Sequence, residues 1–431
     1  MKKLSWWSVV GLASVSAVLA GCGGSGDDSG GSASLRVANA TLTHTSLDLL
    51  VNSAPGVSAT ALDTVSNSIS PSSGTVTLQL NDAGSATALT TTVPTLTGSN
   101  HYTLLAYESG GAVKTVVLNE DYPLPTTGTA QIRVYDAALD AGPLDIYITA
   151  PTVDLATVSA PTATIATTTQ NTSTAFYTFS PGTYRVRVTA AGNKADLRAD
   201  VPAVTVTSQQ IATVALTPAS GGSLINGSTL IQQAGYTAAR NTNARVRVAS
   251  AVTTGSQVTV SSSDGTVIEP GTVSPAFGYY VLVPASSSLN VTAASASVGS
   301  PGALAAGADS TLLVYENAGL LTAKLLTDDN RLPADSTRTK LRLINGLTGS
   351  SGQLTLTANS APVGINVAAG SASSYATIQG STSAINLVLS SSTSGAYQPN
   401  TGGNVNVPLS ANTVYSVLAG GSPSAPQLLI R

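Results

Sequence analysis

The sequence predicts an all-β protein: tandem immunoglobulin-like β-sandwich domains behind an N-terminal signal peptide and a Gly/Ser tether. Three observations carry that prediction. Apolar and polar residues alternate with period two, turn formers interrupt the alternation, and one arginine-bearing strand pattern returns four times. Runs such as Thr75-Val76-Thr77-Leu78-Gln79-Leu80, Leu144-Asp145-Ile146-Tyr147-Ile148 and Tyr184-Arg185-Val186-Arg187-Val188 set one face on a core and the other in water. Between them, Ser180-Pro181-Gly182 and Ala191-Gly192-Asn193 supply turn chemistry. Helical periodicity is almost absent.

The first element is a leader. Lys2 and Lys3 precede an apolar stretch, Leu4 to Ala20, that ends in small residues, which is the build of a secretory signal peptide over residues 1–21 rather than of a spanning helix. Leu19-Ala20-Gly21-Cys22 then resembles the bacterial lipobox. That resemblance implies cleavage before Cys22, a diacylglycerol on its sulfur and acylation of the new amino group. Cys22 is the only cysteine of the chain, so no second Cys here can pair with it, and it reads as a lipid anchor to the membrane. Each buried CH₂ contributes about 0.8 kcal/mol, and two or more acyl chains hold a protein on a bilayer where one binds only reversibly. Residues 22–33 form the tether, a Gly/Ser coil spanning on the order of 20 Å. Gly23 stands where an Asp would direct inner-membrane retention, so resemblance to enterobacterial sorting implies the outer membrane, on its periplasmic or surface face.

Removing the leader removes Met1, Trp6 and Trp7, the chain's only Met and Trp. The charge goes from 18 basic and 21 acidic residues to 16 and 21, a net −5. Charged residues are only 9% of the chain and no basic stripe exists, which argues against a nucleic-acid partner. Thr, Ser, Ala, Val and Gly dominate, so hydroxyls must solvate the surface, and the low net charge does not favour disorder. About 410 mature residues are more than one core accommodates, so several domains are expected.

Their number follows from a repeat: apolar, Arg, apolar, any residue, Asn/Asp/Ser, Ala/Gly. It occurs as Leu35-Arg36-Val37-Ala38-Asn39-Ala40, Ile132-Arg133-Val134-Tyr135-Asp136-Ala137, Val246-Arg247-Val248-Ala249-Ser250-Ala251 and Leu341-Arg342-Leu343-Ile344-Asn345-Gly346. An alternating strand begins 11 or 12 residues after each Arg, at Leu47, Leu144, Val258 and Leu354. Later in the unit, Thr103 to Pro125 matches Thr311 to Pro333 without gaps; Tyr415-Ser416-Val417-Leu418 is similar, and Ala212 to Leu216 more weakly so. These spacings predict sandwich repeats at 34–128, 129–241, 242–337 and 338–431, each with about seven short strands. The unit length is too great for a β-solenoid.

The arginine strand of the second unit, its Leu144 to Ile148 strand and Pro181-Gly182-Thr183-Tyr184-Arg185-Val186-Arg187-Val188 resemble the bacterial envelope repeats grouped as domain-of-unknown-function family 4397. The second unit carries the motifs most fully; the others carry them through the arginine and end strands. The resemblance implies a secreted or lipid-anchored β repeat and no established activity. Where that family often has a His after the Arg, this chain has Asn39, Asp136, Ser250 and Asn345.

Catalytic signals are sparse. His44 and His101 are the only histidines, and neither has metal-ligand spacing with another His, Cys or acid. No G-x-S-x-G elbow opens a helix. The acid pairs Glu120-Asp121 and Asp328-Asp329 stand at equivalent positions before two junctions, as candidate inter-domain Ca²⁺ ligands or as solvated acids keeping an edge soluble; neither has a D-x-D-x-D-G loop. Ser263-Asp264-Gly265 reads as a hairpin turn. Four arginines at one position argue for architecture, through pairing with an acid of the same unit or covering of the sheet. Phe176-Tyr177 with Phe179, and Phe277 with Tyr279-Tyr280, fill cores or, if exposed, form a row that stacks on sugars. The expected function is therefore that of a lipid-anchored, non-catalytic cell-envelope array acting as a structural, adhesive or ligand-binding module, with no cofactor and with a glycan, polymer or protein as its ligand. The alternative is an envelope hydrolase or carbohydrate-processing accessory lipoprotein with an acidic inter-domain cleft.

Overall fold

The computed structural model describes residues 31–166, 172–317, 319–349, 352–393, 395–396 and 403–431. Cys22, the leader and most of the tether lie outside them. The fold is a repeated β-sandwich: among the described residues, apart from two 3-10 turns, Leu139–Ala141 and Leu155–Thr157, every regular element is a strand. No helix among the described residues is long and apolar enough to cross a membrane.

One topology occurs four times. The strand bearing the repeat arginine, Ser34–Asn39, Ala130–Asp136, Asn243–Ala251 or Arg338–Asn345, lies parallel to a late strand of the same unit, His101–Ser109, Ile211–Pro218, Asp309–Asn317 or Thr413–Ser422. A further antiparallel strand follows, as with Ala112–Asn119 and Leu320–Asp328. The opposing sheet is built on the strand anticipated after the loop: Ser46–Val51, Leu144–Thr149, Gln257–Ser262 or Leu354–Ala358. Among the described residues each unit shows nine or ten strands, more than the seven expected, because irregular edges break into two-residue pieces such as Gly74–Thr75 and Ala276–Phe277. No strand spans residues 128–129, 241–242 or 337–338.

Alternation explains the packing. In the first unit Leu35 and Val37 point inward to meet Leu47, Leu49, Leu78, Leu80 and Leu104, all essentially buried. The other three units repeat this with Ile132, Val134 and Ile146; Val246, Val248 and Val260; and Leu341, Leu343 and Leu356. These cores of Val, Leu, Ile and Ala, without Trp or disulfide, rest on apolar burial worth about 25 cal/mol per Å².

The fifth position of the repeat turns the chain from one sheet toward the other. Asn39 Nδ2 donates to the carbonyls of His44 and Thr60 while its Oδ1 accepts from Thr41 N; Asn345 Nδ2 donates to Val367 O and its Oδ1 accepts from Leu347 N. Asp136 accepts from Ala138 N in the same way but is a carboxyl. Burial pushes its pKa up to about 6, the Ala138 amide holding it back and Asp140 adding to the rise. A free aspartate titrates near 3.8, so between those values the fold holds a proton the unfolded chain has lost. Stability therefore falls as pH rises through that interval, by about 3 kcal/mol once complete. Asp136→Asn is expected to remove this dependence and to be the more stable protein at neutral pH. Denaturant midpoints from about pH 4 to 7 check it, and parallel profiles for the two proteins would contradict the assignment.

Candidate functional site

Period two points the arginine and the residues two and four positions on away from each unit's own core. All four guanidinium side chains are nonetheless buried: Arg36, Arg133, Arg247 and Arg342 are between 3% and 7% exposed. Each Nε donates to the hydroxyl directly across the parallel ladder: Arg36 to Thr103 at 2.9 Å, Arg133 to Thr213 at 3.0 Å, Arg247 to Thr311 at 2.9 Å and Arg342 to Ser416 at 3.0 Å. What buries them is the unit paired with their own. Arginine sheets one and two pack face to face, and so do sheets three and four.

The two seams are copies of each other. Ala38, Ala40, Leu105, Tyr107 and Leu118 of the first unit meet Ala137, Ala215 and Leu230 of the second. Ala249, Ala251, Leu313, Tyr315 and Leu326 occupy the corresponding positions in the third and meet Ile344 and Leu418 of the fourth. At the Ala/Gly position of the repeat the sheets approach closely: a Cβ on Gly346 would lie 2.4 Å from that of Ala251.

Charge is neutralised inside these seams. In the first, Arg36 Nη2 pairs with Glu120 at 2.7 Å, Glu120 also accepts from Thr103 Oγ1 at 2.6 Å, and Arg36 Nη1 reaches the carbonyl of Ala234 in the second unit. Gln233 N donates to Glu120 at 3.0 Å, and Arg133 lies over the rings of Tyr122 and Phe176 at 4.4 and 4.8 Å. In the other seam Asp328 accepts from Thr311 at 2.6 Å, from Tyr280 and from Arg342 of the fourth unit, while Arg247 donates to Ser416 of that unit at 2.8 Å. Burial, followed by the Asp328 charge, raises the Tyr280 hydroxyl well above the usual tyrosine value, and the Arg247 charge pulls it back.

A different network joins units two and three. Arg245 holds Asp309 at 2.6 Å, Asp196 at 2.8 Å and Ser223 at 2.5 Å, and Arg198 holds Asp196 at 2.7 Å. Burial pulls the Arg245 pKa down, but Asp309 more than reverses this and it ends raised. Burial likewise pushes Asp196 up, and Arg198 with Arg245 brings it below the usual carboxylate range. Gly222, at φ +76°, lies so close that a Cβ would strike Asp309.

The structure brings together most of the residues singled out from sequence, in another role. Glu120 and Asp328 are sealed against arginines rather than solvated. Asp121 meets His101 Nδ1 at 3.0 Å and Gln233 Nε2 at 2.9 Å; Asp329 pairs with Arg331 and Lys340, each at 2.7 Å. Guanidinium, ammonium and amide donors thus occupy the carboxylates offered as Ca²⁺ ligands. Among the described residues no group of three or more His, Cys, Asp or Glu could hold a metal. His44 contacts Asp82 at 2.6 Å. Of the two architectural roles expected of the arginines, pairing with an acid of the same unit holds for Arg36 with Glu120 and for Arg247 with Asp328 at 3.6 Å, whereas Arg342 takes Asp328 of the preceding unit because the sheets face one another. Tyr122, Gln232, Gln233 and Tyr375 were missed, and only the gap-free match of 103–125 to 311–333 hinted at a two-unit period.

A groove of about 660 Å³ runs between the third unit's segment Ile268 to Val281 and the fourth unit's Leu429 to Arg431. Beyond the shared residues Gly278, Tyr279 and Arg431 lies a second hollow of about 330 Å³, where units two, three and four meet. Phe277 is buried, whereas Tyr279 is 74% exposed.

No curated protein matches the chain. Similar solved structures include the Bacillus anthracis TIE protein, 9% identical, with 88% of this chain and 66% of that one covered and a TM-score of 0.14. Another is the product complex of a multi-modular glycogen-degrading pneumococcal virulence factor, SpuA, 9% identical, with coverage of 87% and 37% and a TM-score of 0.15. The chain therefore spans just under two thirds of the first and little over a third of the second. Residues 33–147 match a family: they take in the first sandwich with the arginine strand and most of the following strand of the second, while Pro181 to Val188 lies beyond. By that match the chain resembles, through its first sandwich and the opening of its second, the family described as Domain of unknown function (DUF4397).

Proposed function

We propose that the protein is a lipid-anchored, non-catalytic array on the cell envelope, held at the outer membrane through Cys22, that presents its paired sandwiches to a glycan, polymer or protein ligand. One observation carries this reading: buried hydrogen bonds and ion pairs join each unit to the next, with Gln233 N on Glu120 between the first and second, Arg245–Asp196 between the second and third, and Arg342–Asp328 between the third and fourth. A carboxylate or guanidinium buried without its partner is costly, so these contacts hold neighbouring units in one arrangement, as an arm standing off a bilayer requires. A hydrolase with an acidic cleft needs open carboxylates at the junctions, and Glu120 and Asp328 are 6% and 0% exposed.

The anchor is tested by fractionation of cells making the full chain. Wild type is expected in the membrane fraction with a fatty-acid label, and Cys22→Ser in the soluble extracytoplasmic fraction without it. A Cys22→Ser protein still sedimenting with membranes would remove the anchor from this proposal.

A further inference from the structure

We infer that the third and fourth units together form a binding site for an acidic oligosaccharide. A pyranose ring lies on Tyr279 and its anionic group enters the hollow beside it. The site rests on the ligand-binding half of the function proposed above and not on the lipid anchor.

Tyr279 stands on the ridge between the groove and the hollow, shared by both. It is 74% exposed, in contrast to Phe277 and Tyr280, which are used against Arg247 within the seam. An exposed ring bordering an apolar groove is a stacking platform for the C–H face of a sugar. Arg431 lies 4.6 Å from the ring centroid, tethered through Nε to Phe277 O at 3.0 Å. No hydrogen bond from its Nη groups is made among the described residues, and those groups provide paired donors for a carboxylate, phosphate or sulfate.

The two flanks have opposite polarity. Arg198, Arg245, Arg247 and Arg431 line the hollow, together with Asn330 and without any acid. Their counter-ions Asp196, Asp309 and Asp328 are not part of its wall. Arg198, Arg245 and Arg247 are thus neutralised from behind the wall, and the uncompensated positive charge at the hollow is that of Arg431, which pairs with no acid among the described residues. On the groove side stands Glu269, 6% exposed, hydrogen-bonded by Thr272 and paired with no cation among the described residues. A carboxylate so placed accepts sugar hydroxyls. A neutral glycan leaves the arginine hollow unused, and a small anion leaves Tyr279 and Glu269 unused; an acidic sugar uses all three.

The test is calorimetric titration of the full-length Cys22→Ser chain with tetragalacturonate, the neutral galactose tetramer and inorganic phosphate. Tetragalacturonate is expected to bind at least about tenfold more tightly than either of the others, and its affinity is expected to fall with salt. Tyr279→Ala and Arg431→Gln are each expected to weaken it about tenfold while leaving the thermal midpoint unchanged, since both side chains lie outside the cores. The proposal is overturned by absence of tetragalacturonate binding, by equal affinity for the neutral tetramer or for phosphate, or by both variants binding as wild type does. None of these outcomes bears on membrane attachment, which fractionation reads separately.

Discussion

Asp328→Asn is expected to lower the stability of the paired third and fourth units by about 3–5 kcal/mol, the largest effect of any single substitution considered. Asp328 is fully buried and is the anion shared by two guanidiniums, Arg342 in direct contact and Arg247 at 3.6 Å. Thr311 and Tyr280 donate to it as well. An amide of the same shape keeps one acceptor oxygen but turns two donor hydrogens toward groups that are themselves donors. The stacking of Arg247 on Phe277 and Tyr280, and of Arg342 on Tyr375, persists, but at about 2 kcal/mol per buried pair it does not replace a counter-ion whose loss costs about 3–5 kcal/mol. Denaturant unfolding followed by circular dichroism measures the loss. The double variant Asp328→Asn with Arg342→Met should lose less than the sum of the singles, because one uncompensated charge is gone. Additive losses, or an Asp328→Asn protein within about 1 kcal/mol of wild type, would show the seam to be held by its apolar contacts alone.

Gly346→Leu is the second. Its Cβ would fall 2.4 Å from Ala251 Cβ and 3.3 Å from the Cδ1 atoms of Leu313 and Leu418. Ala251, Leu313 and Leu418 all belong to the apolar cluster of that seam. Ala251 Cβ is fixed to its backbone and cannot swing aside, so the two sheets must separate. Overpacking of this kind costs about 1–3 kcal/mol, and here separation also exposes the ion pairs. The expected outcome is a lower unfolding midpoint and protease cleavage near residues 328–338, with a larger radius of gyration by small-angle scattering. Gly299→Ala, whose Cβ would meet nothing within 4 Å, is the control and is expected to be neutral. An unchanged radius and midpoint in Gly346→Leu would mean that the fourth unit does not need close approach to the third.

Much of a single unit was legible. The strands after each arginine begin within one residue of the expected positions because alternation against turn formers is a local property, satisfied by neighbours in the chain. The Asn/Asp/Ser position was visible as a pattern, although its work in bonding loop carbonyls and amides appears only once those loops are folded. The aromatic groups were recognised but not sorted: Phe277 and Tyr280 went to arginines of the seam and Tyr279 to the surface, a division decided by the neighbouring units. The acid pairs stand at equivalent positions, yet the arginine partners of Glu120 and Asp328, namely Arg36, Arg247 and Arg342, lie 14 to 84 residues away, and nothing local links them.

What the sequence determined by itself is the unit: a two-faced sheet whose inner residues are Leu, Val and Ile, repeated four times with an arginine at a constant place on the outer face. What only the tertiary structure decided is that the outer face is also buried, against the same face of the adjacent unit. Alternation distinguishes one side of a strand from the other, but it does not say what covers the second side. An arginine between small residues looks alike whether it meets water or another sheet, until a hydroxyl, a carboxylate and an aromatic ring from distant strands arrive to satisfy it.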